Sequence, residues 1–187
     1  MTDQVLTSLD AKKKLTDFKM DEVYHYELDE STEWIATILS ELEENIEDSD
    51  EDRKKGFLRT QFNVKRKKSD PWGEHVLIQG SIQSNYQAAC VRCLTICPKE
   101  LDVEVSGGYV PEQLEKMPEY EESTTFYTSN AEYDMYFHRK NMVDFAEFIH
   151  EQVFMNVDNL PLHDKDCKGL CPECGVDRNK VDCGHKA

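Results

Sequence analysis

Leu58-Arg59-Thr60-Gln61-Phe62-Asn63-Val64, then Ser69-Asp70-Pro71-Trp72-Gly73, then Val76, Ile78 and Ile82: this stretch decides the fold class. Apolar residues recur at every second position on both sides of a turn, the period at which a strand buries one face. Asp-Pro and Gly supply the reversal. The middle of the chain therefore reads as an antiparallel hairpin. A further alternating strand, Leu101, Val103 and Val105, extends it from Lys99 to Tyr109.

Outward from this hairpin the period changes. Glu22 to Leu28 alternates as a short strand, with Asp29 and Ser31 as candidate caps for the helix that follows. Trp34, Ile35, Ile38, Leu39, Leu42 and Ile46 are spaced three and four apart and form one apolar stripe. An aromatic on such a stripe reads as core, so Trp34 is not a stacking platform. Glu47 to Asp52 is too charged to pack, and Pro111 to Glu122 is an acidic, proline-punctuated loop. Residues 123–138 are ambiguous, with Tyr133, Met135 and Phe137 in strand register. Asn141 to Val157 reads as the second helix, with Val143, Ala146, Ile149, Val153 and Asn156 in line, Phe145, Phe148 and Phe154 widening its apolar face, and Pro161 beyond its end. The expectation is an α+β fold: an antiparallel sheet, two packed helices and a C-terminal zinc-binding knuckle. Its parts are a polar arm over 1–20, the α+β domain over 21–160 and a cysteine-rich module over 161–187.

The knuckle rests on seven cysteines in two groups. Cys90-Val91-Arg92-Cys93 precedes Cys97, and Cys167, Cys171, Cys174-Gly175 and Cys183-Gly184-His185 close the chain. A C-x2-C pair lets two thiolates converge on one ion across a tight turn, and a glycine after it relaxes the backbone. Disulfides fit poorly: the cysteine number is odd, and Met1 to Leu15 carries three consecutive lysines and no apolar signal core. A thioredoxin-like pair at Cys90/Cys93 would need a βαβ setting, yet strands flank it on both sides.

The net charge of −16 argues against a general nucleic-acid binder. The charge is uneven. Arg53, Lys54, Lys55, Arg59, Lys65, Arg66, Lys67 and Lys68 fall within sixteen residues that hold no acid, so the remainder carries −24. A positive stripe on an acidic body can touch RNA locally, with Arg59, Lys65, Arg66, Lys67 and Lys68 as the contact residues. Alternatively, these lysines only block edge-to-edge strand pairing. No phosphate loop, dinucleotide fingerprint or nucleophile elbow is present. His150-Glu151 starts a zinc-protease motif, but Phe154 stands where the second histidine belongs. No stretch approaches the ~18 apolar residues of a membrane span, and no targeting segment is visible, so the cytoplasm is the expected compartment.

Cys90-Val91-Arg92-Cys93-Leu94 after an alternating strand, Glu151-Gln152-Val153-Phe154 closing the second helix, Leu160-Pro161-Leu162-His163, Asp166 through Gly175, and the closing Asn179 and Cys183 together resemble the YceD-like family, named for large ribosomal RNA subunit accumulation. The resemblance spans roughly residues 20–185. It implies a bacterial or organellar cytosolic protein needed for normal levels or processing of 23S rRNA, with no established catalytic activity. Relatives often carry cysteine where this chain has His163, and C-x-C where it has Cys183-Gly184-His185; each change exchanges one zinc ligand for another. Some lack the Cys171/Cys174 region.

Cys171, Cys174, Cys183 and His185 make one tetrahedral zinc set. Cys90, Cys93, His163 and Cys167 make a second, with Cys97 left over. The competing partition groups Cys167 with Cys171, Cys174 and Cys183 around a single ion. The expected function is a non-enzymatic ribosome-biogenesis factor whose partners are ribosomal RNA or large-subunit assembly proteins. Its rivals are a thiol oxidoreductase or rRNA-processing nuclease, and an acidic adaptor that docks on ribosomal proteins without touching RNA.

Overall fold

Burying Leu58, Thr60, Phe62 and Val64 on one side of a strand leaves Arg59, Gln61 and Asn63 exposed on the other. The computed structural model, which describes residues 4–44, 46, 55–118, 120, 123–128 and 131–185, shows that partition. Among the described residues the elements are β1 (Val5–Leu6), β2 (Lys12–Lys14), β3 (Val23–Leu28), α1 (Glu33–Leu42), β4 (Phe57–Ser69), β5 (Gly73–Ala89), β6 (Ile96–Pro111), β7 (Thr125–Tyr127), β8 (Glu132–His138), β9 (Met142–Asp144) and α2 (Phe145–Asn156). Seven strands form one sheet in the order β1-β3-β4-β5-β6-β8-β7, antiparallel except at β1–β3 and β6–β8, and β2 pairs with β9 separately. The fold class is α+β.

Both helices pack on the face carrying Leu58, Phe62, Val64, Ile78, Ile82, Val105 and Tyr109. From α1 come Ile35, Ile38 and Leu39; from α2 come Phe145, Phe148, Ile149 and Val153. A smaller cluster of Leu77, Val110, Leu114, Phe126 and Tyr133 forms apart from this main core. Gly107 and Gly108 lie between two rings. A Cβ on Gly107 would sit 2.4 Å from Phe148, and one on Gly108 would sit 2.2 Å from Phe126. Since both phenylalanines are fully buried, neither ring can retreat.

Several expectations change. Over its described part, the 1–20 segment is not a separate arm. Leu9, Leu15 and Phe18 are buried in the main core. The Ala11 carbonyl accepts from the N–H groups of Phe145 (2.8 Å) and Ala146 (3.2 Å), orphan donors of the first turn of α2. Three apolar residues spaced six and three apart show no strand or helix period, so this role was invisible in sequence. The second helix begins at Phe145, not Asn141, because Lys140 and Asn141 take left-handed φ values of 51° and 60° and turn the chain into β9. Asp144 caps it, accepting from Glu147 N–H at 3.1 Å. Thr32, rather than Asp29 or Ser31, holds the N-cap position of the first helix, without a side-chain capping bond; Asp29 instead closes the preceding turn by accepting from Ser31 N–H. It stops at Leu42, and Ile46 is buried beyond its end. Trp34 is core-facing, its indole N–H donating to Leu9 O at 2.8 Å. The ambiguous 123–138 region supplies β7 and β8. The 47–52 loop lies outside the described residues, as do 119, 121 and 122 of the acidic loop. Among the described residues no helix is long and apolar enough to cross a membrane.

Gly108→Ala should lower the unfolding free energy by about 1–3 kcal/mol, the usual cost of overpacking. Urea denaturation measures it. An unchanged midpoint would mean that the Phe126 ring is not held against the glycine.

Candidate metal centres and the basic strand

The turn between β5 and β6 is built by Cys90 to Thr95. Leu94 N–H donates to Cys90 O, and Cys90 N–H donates to Thr95 O, both at 2.9 Å. This turn aims Cys90 and Cys93 in one direction. After α2 the chain is drawn back against the same hairpin. Lys99 Nζ reaches Asp158 Oδ2 and Leu162 O, each at 3.1 Å, while Val91 N–H donates to Pro161 O at 2.9 Å. Leu160 N–H and the Lys99 ammonium together hold Asp158 below the usual carboxylate range. Further on, Arg92 Nη1 donates to Cys167 O at 3.0 Å and Leu170 N–H to Arg92 O at 2.9 Å. Gly169 takes a φ of +73°, and its added Cβ would press to 3.1 Å from Arg92 O.

These contacts bring Cys90, Cys93, His163 and Cys167 together, their ligand atoms all within 4.8 Å of one another. Cys171, Cys174, Cys183 and His185 form a second group of the same compactness. About one ion at tetrahedral geometry, two sulfurs lie about 3.8 Å apart, and a sulfur and an imidazole nitrogen about 3.6 Å. The Cys90–Cys167 separation is 3.8 Å, Cys171 to His185 Nδ1 is 3.6 Å, and Cys93 to His163 Nδ1 is a tighter 3.2 Å. Each group is able to hold a metal ion. Cys167 stands with the hairpin pair and not with the later cysteines. Cys97 belongs to neither group; its thiol faces Ala88 O at 3.4 Å, and burial pushes it up.

The electrostatics of each group favour a cation. Burial pushes the Cys90 thiol up, but the His163 contact and the N–H groups of Arg92 and Cys93 outweigh it and bring Cys90 to about 5. Burial keeps Cys93 above its ordinary value, and Cys167 and Cys90 add to that rise. In the second group the Cys174 N–H leads in lowering Cys171 to about 6, with Cys183 and His185 contributing, while Cys174 is raised. Each group thus stabilises one thiolate and resists the next. A dication removes that resistance. Asn179 stands behind the first group. Its Nδ2 donates to Cys167 Sγ at 3.4 Å, and its Oδ1 accepts from Lys168 N–H at 2.8 Å. Thr95 Oγ1 lies 3.2 Å from Cys93 Sγ. Spacing alone pointed to neither supporting role.

The basic stripe divides. Arg59 is exposed, with its guanidinium over the Phe57 ring at 5.1 Å. Lys65 and Lys67 share its side of β4, and Lys65 lies 4.0 Å from Asp21. Lys68 is exposed, 3.9 Å from Glu74. Arg66 is a correction to the expected contact set. It holds the same strand parity as Phe62 and Val64, binds Glu74 at 2.6 Å and donates to Phe18 O at 3.1 Å. Glu74 is held below the usual carboxylate range chiefly by that guanidinium. Arg66 therefore ties the N-terminal segment to the sheet. Arg53 and Lys54 lie outside the described residues.

The scaffold is thus a mixed α+β sheet presenting two Cys3His constellations at one end. The profile of a family described as "Large ribosomal RNA subunit accumulation protein YceD" matches residues 78–187, more than half of the chain, and the chain belongs to that family. The match begins within β5 and includes all eight clustered ligand residues, while the basic strand precedes it. No curated protein and no solved structure matches the chain.

Thiol labelling should separate the two groups. In metal-free protein Cys174 and Cys183, exposed and half-buried, should alkylate before the buried Cys90, Cys93 and Cys167. Time-resolved intact mass and peptide mapping read the order. Equal rates would show that the hairpin group opens as readily as the terminal one.

Proposed function

We propose that the protein is a non-enzymatic factor supporting accumulation or processing of large-subunit rRNA, built around two structural zinc ions and touching RNA through β4. One observation carries the reading. Two separate sets of three thiols and one imidazole each have their ligand atoms within 4.8 Å of one another, the donor number that would close a tetrahedral site and leave no position for substrate. Cys90, Cys93, His163 and Cys167 would hold one zinc, and Cys171, Cys174, Cys183 and His185 the other. The first joins the β5–β6 turn to the segment after α2, and the second folds the last residues on themselves. The zinc ions supply rigidity.

The lowered Cys90 thiol is the one feature that favours a thiol oxidoreductase. Cys90 is fully buried, however, and lies among three other ligand atoms. A redox thiolate must reach its substrate, so ligation accounts better for the same observation. The RNA-facing residues in this reading are Arg59, Lys65, Lys67 and Lys68. They would position phosphates without reading base identity.

Elemental analysis should return two zinc per chain, and Cys90→Ser should lose one. A zinc-free native protein would overturn the scaffold. Asn179→Ala should weaken the hairpin ion about 10- to 100-fold, as loss of a supporting hydrogen bond commonly does, when measured by competition with a chelating dye. The terminal ion should be unaffected.

RNA contact has its own test. With four cations engaged, log affinity for structured RNA should fall with log salt at a slope of about −3 to −4. Reversing Lys65, Lys67 and Lys68 to glutamate should abolish most of the binding while zinc content and melting stay constant. If the wild type binds no RNA, the acidic-adaptor reading takes its place.

A further inference from the structure

At the β4–β5 turn the register sets Lys67 opposite His75 and Lys68 opposite Glu74. Trp72 folds over the turn and packs on Phe126 at 5.0 Å and Tyr120 at 5.3 Å. The result is a cavity of about 290 Å³ whose polar lining includes Lys67, Lys68, Ser69, His75, Asp21 and Asp70.

His75 is the unusual member. The residue is 1% exposed, and its Nδ1 lies 2.9 Å from Gly73 O. A carbonyl only accepts, so Nδ1 carries the proton of that bond. Burial lowers the imidazole below its ordinary value, and Lys67 and His138 push it the same way, so the ring is neutral at pH 7. Nε2 is then a lone-pair acceptor, and the ring's hydrogen bond among the described residues is the one at Nδ1. Nε2 is not fully sealed by protein, so a donor entering the cavity can reach it. The cavity can therefore take a ligand that brings a hydroxyl or amine to Nε2 and anionic oxygens to the two ammonium groups. Asp21 and Asp70 line the cavity too, and Asp21 lies 4.0 Å from Lys65. The volume is close to the lower bound of roughly 300 Å³ for small-ligand sites, enough for one nucleotide unit.

We propose that this cavity holds one ribonucleotide of a single-stranded RNA, with its phosphate at Lys67 and Lys68 and its ribose 2′-hydroxyl donating to His75 Nε2. The 2′-hydroxyl lies beside the 3′-phosphate in RNA and is missing from DNA, so His75 makes the protein discriminate between the two. This rests on the reading that β4 contacts RNA, and adds the sugar to what is recognised.

The test uses zinc-loaded full-length protein and three labelled single strands of one sequence, as RNA, DNA and 2′-O-methyl RNA, in fluorescence anisotropy at fixed salt. RNA should bind about five- to tenfold tighter than the other two, the worth of one hydrogen bond in a desolvated site. His75→Phe should erase that preference and leave DNA affinity and the salt slope as they were. The 2′-O-methyl strand keeps the test decisive if His75→Phe fails to fold, because it blocks the same donor with unaltered protein. Equal binding of all three strands overturns the His75 site and leaves the basic strand standing. No binding of any strand overturns both.

Discussion

The pairing of β5 with both of its neighbours is the constraint on which the rest depends. Side chains on a strand alternate with period two, so a one-residue slip would send Ile78 and Ile82 to solvent and bury Gln79 and Gln83. The same register that buries the isoleucines places the cysteine turn at one end of the sheet and the Trp72 turn at the other. The length of β5 therefore puts the two proposed sites at opposite ends of the strand. Between them, Ile78 and Ile82 are buried in the core under the helices.

The elements legible from sequence were those whose pattern is local. Alternation marked β4 and β5, spacings of three and four marked α1, and C-x2-C spacing marked both cysteine turns. Ligand arithmetic left two partitions open, and the clustering of His163 and Cys167 with Cys90 and Cys93 is seen only in three dimensions. What escaped was set by distant partners. Leu9, Leu15 and Phe18 read as isolated apolar residues in a polar segment because their packing partners lie elsewhere in the chain, as Phe145 of α2 does for Phe18. Gly107-Gly108 carried no visible reason until the two phenylalanines were seen on either side. Arg66 looked like one more cation in a run, and only its parity with Phe62 and Val64 separates it from Lys65 and Lys67. Its partners, Phe18 and Glu74, are legible only in three dimensions. Helix α2 was set four residues early because Asn141 permits a left-handed turn as readily as a helix start.

Charge is distributed to match. The body is acidic, yet the cations of β4 are rationed between two tasks. Arg66 neutralises Glu74 and secures the N-terminal segment, and Lys12 does similar work against Asp144 at 2.6 Å. Arg59, Lys65, Lys67 and Lys68 remain on or near the solvent side. Like-charge excess elsewhere discourages loose association with polyanions.

The pairing of β2 with β9 has a consequence for how the chain is made. Lys12 to Lys14 meet Met142 to Asp144, roughly 130 residues later, and Ala11 supplies the acceptor for the start of α2. During synthesis the hairpins from β3 to β6 can close as they emerge, since each strand finds its partner next in line. The opening segment cannot. It must wait, with Leu15 and Phe18 uncovered, until nearly the whole chain has left the ribosome. Closure of the core is thus a late and single event, and a truncated product lacking α2 would expose the very residues that attract chaperones and proteases.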